Sequence, residues 1–249
     1  MLIDQSMFMK AMIFAAGLGS RLKPLTNSKP KALVEVGNTT LLQLNIEQIL
    51  TFGIKEIVIN VHHYSDQVIS YLKKNNNFGA DISISNESNL LLDTGGGLKK
   101  AADLLRGTEP ILLQNVDIYS TIDYGHMLSQ HEENRALATL AVQKRVSSRY
   151  LMFDADAQLC GWINSRSNET IITRKSQKTE NYAFSGIHII SPKMLDMLPN
   201  KNVFGIIEAY LELSKNNRIL GYLHNGDDWF DVGTTEKLQK LNTHMQQNR

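Results

Sequence analysis

The first half of the chain alternates strand-like and helix-like patterns, and this alternation constrains the fold more than any other feature of the sequence. Short apolar or alternating runs predict strands at 10–16, 54–61, 81–85 and 110–116. Apolar residues at helical spacing predict helices at 41–52, 65–74 and 97–106. Strands separated by helices indicate right-handed βαβ crossovers and a largely parallel sheet.

The second half is richer in strand patterns. Strands are predicted at 136–143, 149–153, 158–163, 182–190 and 219–223, and helices at 193–198, 204–215 and from about 235. The polar stretch 164–181 is predicted to be a hairpin or a mobile loop, and Thr234 and Thr235 are candidate N-caps. We therefore expect an α/β fold with a Rossmann-like, mostly parallel sheet flanked by helices and a small β-rich insertion. It forms one domain over 1–249, divided into halves at 9–134 and 135–249.

Charge and composition restrict the kinds of partner. The chain has 249 residues and a net charge of +1 from 26 basic and 25 acidic residues, so an anionic ligand must be held by a local site. This balance predicts no nucleic-acid surface. No apolar run is long enough for a membrane helix, and the single cysteine, Cys160, cannot form a disulfide within the chain. We expect a cytoplasmic monomer or small homo-oligomer without a membrane partner.

The residues after the first strand are suited to binding a phosphorylated nucleotide. Gly17 and Gly19 let the backbone turn and bring N–H groups towards an anion, Arg21 offers a fork of donors, and Lys31 can return as a point charge. A tight strand–helix turn would also require glycine. The stretch is neither a Walker A loop, which needs GKS or GKT, nor a dinucleotide fingerprint, because Arg21 and Leu22 stand where the third glycine would fall.

Asp117, after the buried strand 110–116, is costly there unless it is paired or bound to a cation. Magnesium, which prefers one or two carboxylates together with phosphate oxygens and water, is a candidate for that cation. A turn or capping aspartate is the alternative.

The stretch 15–33, AAGLGSRLKPLTNSKPKAL, resembles the signature GxGxRLxPLTxxxPKxL of the sugar-1-phosphate nucleotidylyltransferases. Later segments match in order: LLDTGGG at 91–97, NVD at 115–117, FSGIHI at 184–189 and WFDVGT at 229–234. Within this family the TGGG form is similar to the muramyl, mannose and heptose branches. The resemblance implies a nucleotide-binding half, 9–134, and a sugar-binding half with a closing segment, 135–249.

The resemblance also implies a role for each matched residue. Arg21 and Lys31 are the expected catalytic cations, and Asp117 and Asp231 the expected ligands of Mg²⁺. Asn115, Ser185 and Gly186 are expected to contact the sugar. The expected nucleotide-binding residues are Ala15, Ala16, Gly17, Leu18, Gly19, Ser20, Arg21, Asp93, Thr94, Gly95 and Gly96.

One departure from the family pattern concerns the acceptor. Many members carry an E-x-K-P motif whose lysine grips the sugar phosphate, and 144–181 contains none. Arg174, Lys175 and Lys178 are the candidate replacements.

The resemblance implies a Mg²⁺-dependent enzyme that joins a nucleoside triphosphate to a sugar 1-phosphate and releases pyrophosphate. UTP with N-acetylmuramic acid 1-phosphate is the first expectation. The alternatives are GTP with mannose or heptose 1-phosphate, CTP with phosphocholine, and a catalytically silent regulatory subunit that binds nucleotide-sugars. If the chain is such an enzyme, its product is expected to be a precursor of cell wall or polysaccharide.

Overall fold

The computed structural model describes residues 9–247. Residues 1–8 and 248–249, which the predicted domain includes, lie outside the described part. The strands are β1 Lys10–Phe14, β2 Glu35–Val36, β3 Thr39–Thr40, β4 Glu56–Val61, β5 Asp81–Asn86, β6 Ile111–Asn115, β7 Ile118–Ser120, β8 Ala138–Gln143, β9 Arg149–Phe153, β10 Leu159–Asn164, β11 Glu169–Ile172, β12 Glu180–Ile190, β13 Ile219–Leu223 and β14 Trp229–Asp231. The α-helices are α1 Leu41–Thr51, α2 Ser65–Lys74, α3 Asp93–Leu105, α4 Tyr124–Glu133, α5 Ile206–Leu213 and α6 Thr235–Gln247.

The main sheet has 10 strands, and its central part is parallel. The order β6-β1-β4-β5 is parallel throughout, and β8 pairs parallel with β13. Antiparallel pairing begins at β12, which joins β6 to β8 and β9, and continues through β10 and β11. The predicted Rossmann-like α/β fold is confirmed, and the polar stretch 164–181 contains the turn of the β10–β11 hairpin and all of β11.

Alternation along the strands divides the core into two layers, one on each face of the sheet. In β1, Ala11 and Ile13 pack with α1 and α6, whereas Met12 and Phe14 pack with α3 and α5. All four side chains are buried, as a parallel strand covered on both faces requires. The parallel strand ends, where ligands bind in such sheets, are therefore fixed by packing from both sides.

One predicted helix begins earlier than expected, and one helix was missed. Helix α3 begins at Asp93 rather than at 97, so the three glycines lie in its first turns instead of in a preceding loop. Helix α4 was not predicted at all, because it buries only Tyr124, Met127 and His131 and presents a mostly polar sequence. At the other end of the chain, the Thr234 hydroxyl accepts from the Lys237 N–H at 3.4 Å, in the predicted capping position of α6.

None of the helices within residues 9–247 is both long enough and apolar enough to cross a lipid bilayer.

Candidate functional site

The glycine-rich loop after β1 folds back onto the segment that carries Lys31. Gly19 has a φ of 64°, and a Cβ there would lie 2.9 Å from Thr26 Cγ2 and 3.0 Å from Lys31 Cβ. The Thr26 hydroxyl donates to the Gly19 carbonyl at 2.9 Å. Glycine is therefore required at 19 by both conformation and space, and the loop and Lys31 form one unit.

A buried polar pair supports the start of this loop. Asn60, in β4, accepts from the Ala15 N–H at 2.7 Å and donates to Glu87 Oε1 at 2.6 Å. The other oxygen of Glu87 accepts from the Leu92 N–H at 3.2 Å, so both oxygens of this buried carboxylate are hydrogen-bonded. Neither residue was predicted from the sequence. The available signal was a polar residue inside the apolar strand 54–61 and an acid two residues after the strand 81–85.

Strand pairing brings Asp117 and Asp231 together across the fold. Strands β7 and β14 form a two-stranded antiparallel sheet in which Asp231 lies opposite Ile118. The Val232 N–H extends this ladder by donating to the Asp117 carbonyl at 2.8 Å. Because Asp117 immediately precedes β7, the closing segment of the chain returns to the end of β6, as the resemblance implies.

Each of these two carboxylates pairs with a lysine. Lys31 bonds Asp117, and both side chains are largely buried. Lys237, which sequence analysis missed, bonds Asp231 at 2.6 Å. Burial alone would raise the pKa of Asp231, but hydrogen bonding and attraction from Lys237, together with Lys31 and the Gly233 N–H, hold it below its ordinary value. Asp231 is therefore ionised at neutral pH.

Arg21 reaches the same region from the glycine loop. A Cβ at Gly233 would lie 2.8 Å from the Arg21 Nη2 and 2.9 Å from Asp231 Oδ1. The absence of a side chain at Gly233 thus leaves room for the Arg21 guanidinium beside the Asp231 carboxylate. The structure brings all four predicted catalytic and metal-binding residues to one place.

The glycines of α3 serve packing. The N–H groups of Gly95 and Gly96 both donate to the Phe204 carbonyl, at 2.9 and 3.1 Å. Cβ atoms there would overlap Phe204 and the Asn202 carbonyl, and a Cβ at Gly97 would lie 2.7 Å from Glu87 Oε1. These two N–H groups face the loop before α5. The Phe204 carbonyl therefore already accepts the hydrogen bonds that were predicted to reach a nucleotide base.

A cavity of about 460 Å³ opens at the ends of β1, β4 and β6. Its lining residues are Phe14, Ala16, Gly17, Lys31, Asn60, Glu87, Leu91, Asp93, Thr94, Asn115, Val116, Asp117 and Val203. Among the predicted nucleotide-binding residues, Leu18 and Ser20 are exposed on the neighbouring loop, and Gly95 and Gly96 are buried behind the wall. The volume is within the range of small-molecule sites.

A bulge in β12 packs against Asn115. Gly186 has a φ of 76°, and a Cβ there would lie 2.9 Å from Asn115 Nδ2, so glycine permits the close approach. Ser185 is fully buried and its hydroxyl bonds His224 Nε2 at 2.6 Å. The Ser185 carbonyl accepts from the Trp229 indole at 2.9 Å. Ser185 was predicted to contact the sugar, but its side chain is fully buried and has no exposed atom that could do so.

The three cations proposed to replace the E-x-K-P lysine do not line this cavity. The Arg174 backbone bonds the Cys160 carbonyl beside β10, and Lys175 is exposed. Lys178 borders a separate cavity of about 290 Å³ that also includes Phe153 and Tyr182. A different cation, Arg145, lies beside the bulge: its Nη2 donates to the Phe184 carbonyl at 2.8 Å.

An α/β sheet with a glycine loop, paired carboxylates and lysines at its strand ends is typical of proteins that bind phosphorylated nucleotides. Residues 10–248 match the family model described as nucleotidyl transferase. The chain therefore belongs to this family, and its resemblance to the sugar-1-phosphate nucleotidylyltransferases is confirmed.

Individual relatives differ in how much of their length the chain covers. It is 29% identical over 233 residues to an N-acetylmuramate α-1-phosphate uridylyltransferase of Neisseria meningitidis, covering 93% of this chain and 96% of the relative. It is 29% identical over 232 residues to a mannose-1-phosphate guanyltransferase of Yarrowia lipolytica, covering 90% of this chain but 61% of the relative. A UDP-glucose pyrophosphorylase solved with UDP-glucose has the same fold, with a TM-score of 0.77 at 18% identity over 98% of this chain and all of that one.

Proposed function

We propose that the protein transfers a nucleotidyl group from a nucleoside triphosphate to a sugar 1-phosphate, with release of pyrophosphate. The observation that carries this proposal is the meeting of the Lys31–Asp117 and Lys237–Asp231 pairs beside the glycine loop. Membership of the nucleotidyl transferase family supports it. A catalytically silent relative would be expected to lose one of these groups, whereas all are present and converge.

The reaction is an in-line displacement at the α-phosphorus. A phosphate oxygen of the sugar 1-phosphate forms the new P–O bond, the bond to the β-phosphate bridge breaks, and pyrophosphate leaves with the electron pair. The attacking phosphate is already ionised near neutral pH, so no protein nucleophile or strong base is needed. Catalysis then comes from positioning two anions and neutralising charge, with Arg21 and Lys31 as fixed cations on the triphosphate.

Asp117 and Asp231 are the residues that would hold Mg²⁺. They are partly buried, all-oxygen donors joined by the β7–β14 ladder, which is the chemistry this ion prefers. Residues 9–247 contain no cluster of three or more His, Cys, Asp or Glu side chains that could hold a metal ion. Phosphate oxygens and water would therefore complete the coordination shell of Mg²⁺. When bound, Mg²⁺ supplies charge neutralisation at the phosphates.

We propose UTP and N-acetylmuramic acid 1-phosphate as the substrates. The TGGG segment and the near end-to-end match with a muramate uridylyltransferase support this choice. GTP with mannose 1-phosphate is the second candidate, because the guanyltransferase relative is equally similar in sequence.

The test is pyrophosphate release with Mg²⁺. The four ribonucleoside triphosphates and dTTP are each assayed with N-acetylmuramic acid, mannose, heptose and glucose 1-phosphates and with phosphocholine. Release with UTP and the muramic acid phosphate supports the first choice, and release with GTP and mannose or heptose phosphate replaces it. Folded protein that binds nucleotide but releases nothing with any pair would be a regulatory subunit.

A further inference from the structure

Arg145 follows β8 and is held in a defined position. Its guanidinium lies over the Trp229 indole, 4.3 Å from the ring centroid, and Nη2 donates to the Phe184 carbonyl at 2.8 Å. Trp229 is itself fixed by its hydrogen bond to the Ser185 carbonyl. A stacked and hydrogen-bonded guanidinium loses less side-chain entropy on binding a ligand than a free arginine does.

The charge of Arg145 is not neutralised in the way that the neighbouring charges are. Lys31 and Lys237 each pair with an aspartate, but among the described residues no carboxylate lies within 4.0 Å of the Arg145 guanidinium. Within residues 9–247, its buried Nε has no hydrogen-bond partner. Burial lowers the pKa of Arg145 from its ordinary value, while Asp231 acts against that shift. A half-buried cation with an unused donor is costly unless an anion compensates it.

The position of Arg145 is next to the proposed chemistry. Trp229 and Asp231 are two residues apart in β14, so they share one face of the strand and lie about 7 Å apart along it. On the other side, Phe184 leads into Ser185 and Gly186, the bulge that packs on Asn115. Arg145 thus contacts both the strand that carries this bulge and the strand that carries Asp231.

We propose that Arg145 binds the phosphate of the sugar 1-phosphate, in place of the lysine that this sequence lacks. The inference rests on the proposed function, since it assumes an acceptor phosphate. A guanidinium is planar and can present more than one N–H group to phosphate oxygens, and the Nη1 of Arg145 makes no hydrogen bond to a described residue. Arg145 is the cation that the acceptor site requires, and Arg174, Lys175 and Lys178 are not part of it.

The test compares Arg145→Gln, Arg145→Lys and Lys144→Gln. Lys144 is the matched control, because it is the preceding cation and pairs with Glu180 at 3.3 Å. At saturating nucleotide, Arg145→Gln should raise KM for the sugar 1-phosphate by about 30-fold, the loss of a charge-assisted contact. Its nucleotide affinity should stay within about twofold, Arg145→Lys should recover part of the loss, and Lys144→Gln should match the wild type within about twofold.

A second readout does not depend on turnover. The chain has two tryptophans, so Trp162→Phe leaves Trp229 as the only indole. Inorganic phosphate at constant ionic strength should change its fluorescence in that background, and Arg145→Gln should abolish the change. Equal losses of nucleotide and sugar-phosphate affinity, or an unaltered KM and phosphate response, would overturn the assignment. Failure of the wild type to release pyrophosphate with any pair would instead overturn the proposed function, and the phosphate titration would still decide whether Arg145 is an anion site.

Discussion

The two sides of the proposed active site are built differently. The donor side, residues 15–31 with Asn115 to Asp117, follows the ends of adjacent parallel strands, and its lysine is already paired with an aspartate. The acceptor side, Arg145 with Phe184 to Gly186 and Trp229, joins strand ends far apart in sequence, and its arginine has no acidic partner among the described residues. The lysine of the donor side is thus paired within the protein, whereas the arginine of the acceptor side is proposed to pair with the phosphate of its ligand.

The largest expected effect separates chemistry from acceptor binding. Asp117→Ala should lower turnover by at least about 10³-fold, roughly 4 kcal/mol of transition-state stabilisation, because it removes the carboxylate at the reacting phosphates. Steady-state pyrophosphate release measures turnover, and thermal melting measures the separate loss of stability that follows when Lys31 loses its partner in a largely buried pair. Asp156→Ala removes an exposed aspartate and is the control. Normal turnover in Asp117→Ala would refute the metal assignment, and a change confined to KM for the sugar phosphate would remove the distinction between the two sides.

The next effect concerns the wall of the cavity near α3. Gly96→Ala places a methyl group on the Asn202 carbonyl and should destabilise the protein by about 3 kcal/mol, as overpacking does. Gly226→Ala is the matched control, because a Cβ there meets nothing within 4 Å. Urea unfolding compares them, and equal stability of the two variants would show that the loop before α5 yields easily.

The fold could be predicted from the sequence where a feature depends on neighbours in the chain. The parallel core follows from alternating patterns, and the glycine loop with Lys31 lies within one short stretch. The family resemblance also placed Asp231, although its meeting with Asp117 needs the β7–β14 pairing.

The acceptor cation could not be predicted in this way. Arg145 acts through Phe184 and Trp229, residues on two other strands, and its burial and lack of an acidic partner are properties of the folded state. The cations predicted from the sequence are in the polar stretch 164–181, and in the folded protein they lie away from the cavity at the strand ends. The position of Lys237 likewise depends on α6 packing beside β14.

Lys31→Met tests whether the donor-side lysine serves chemistry more than structure. Turnover should fall about 10²-fold, because a fixed positive charge at the triphosphate is lost, while thermal melting should show a variant that is destabilised by the loss of its pair with Asp117 but folded at the assay temperature. Lys29→Met, two residues before Lys31, is the control. It removes an exposed ion pair with Glu35 and should change turnover and melting temperature little. Similar proportional losses of turnover and stability would indicate a structural lysine.

The smallest expected effect belongs to the acceptor half, where buried His188 lies in β12 and bonds Tyr210. Burial lowers the pKa of His188 to about 3, whereas an unfolded histidine titrates near 6.5. Between these values the unfolded state binds the extra proton, so the stability contribution is complete above about pH 6.5 and is lost as the pH falls. Lowering the pH from 6.5 to 5.0 should cost about 1.6 kcal/mol through this residue. Urea unfolding at both pH values should show that His188→Gln removes this increment.

Tyr210→Phe is the control, because it loses the hydrogen bond but keeps the buried histidine. It should lower stability at both pH values and retain the increment. Loss of the increment in both variants would trace the acid sensitivity to the hydrogen bond rather than to protonation of His188.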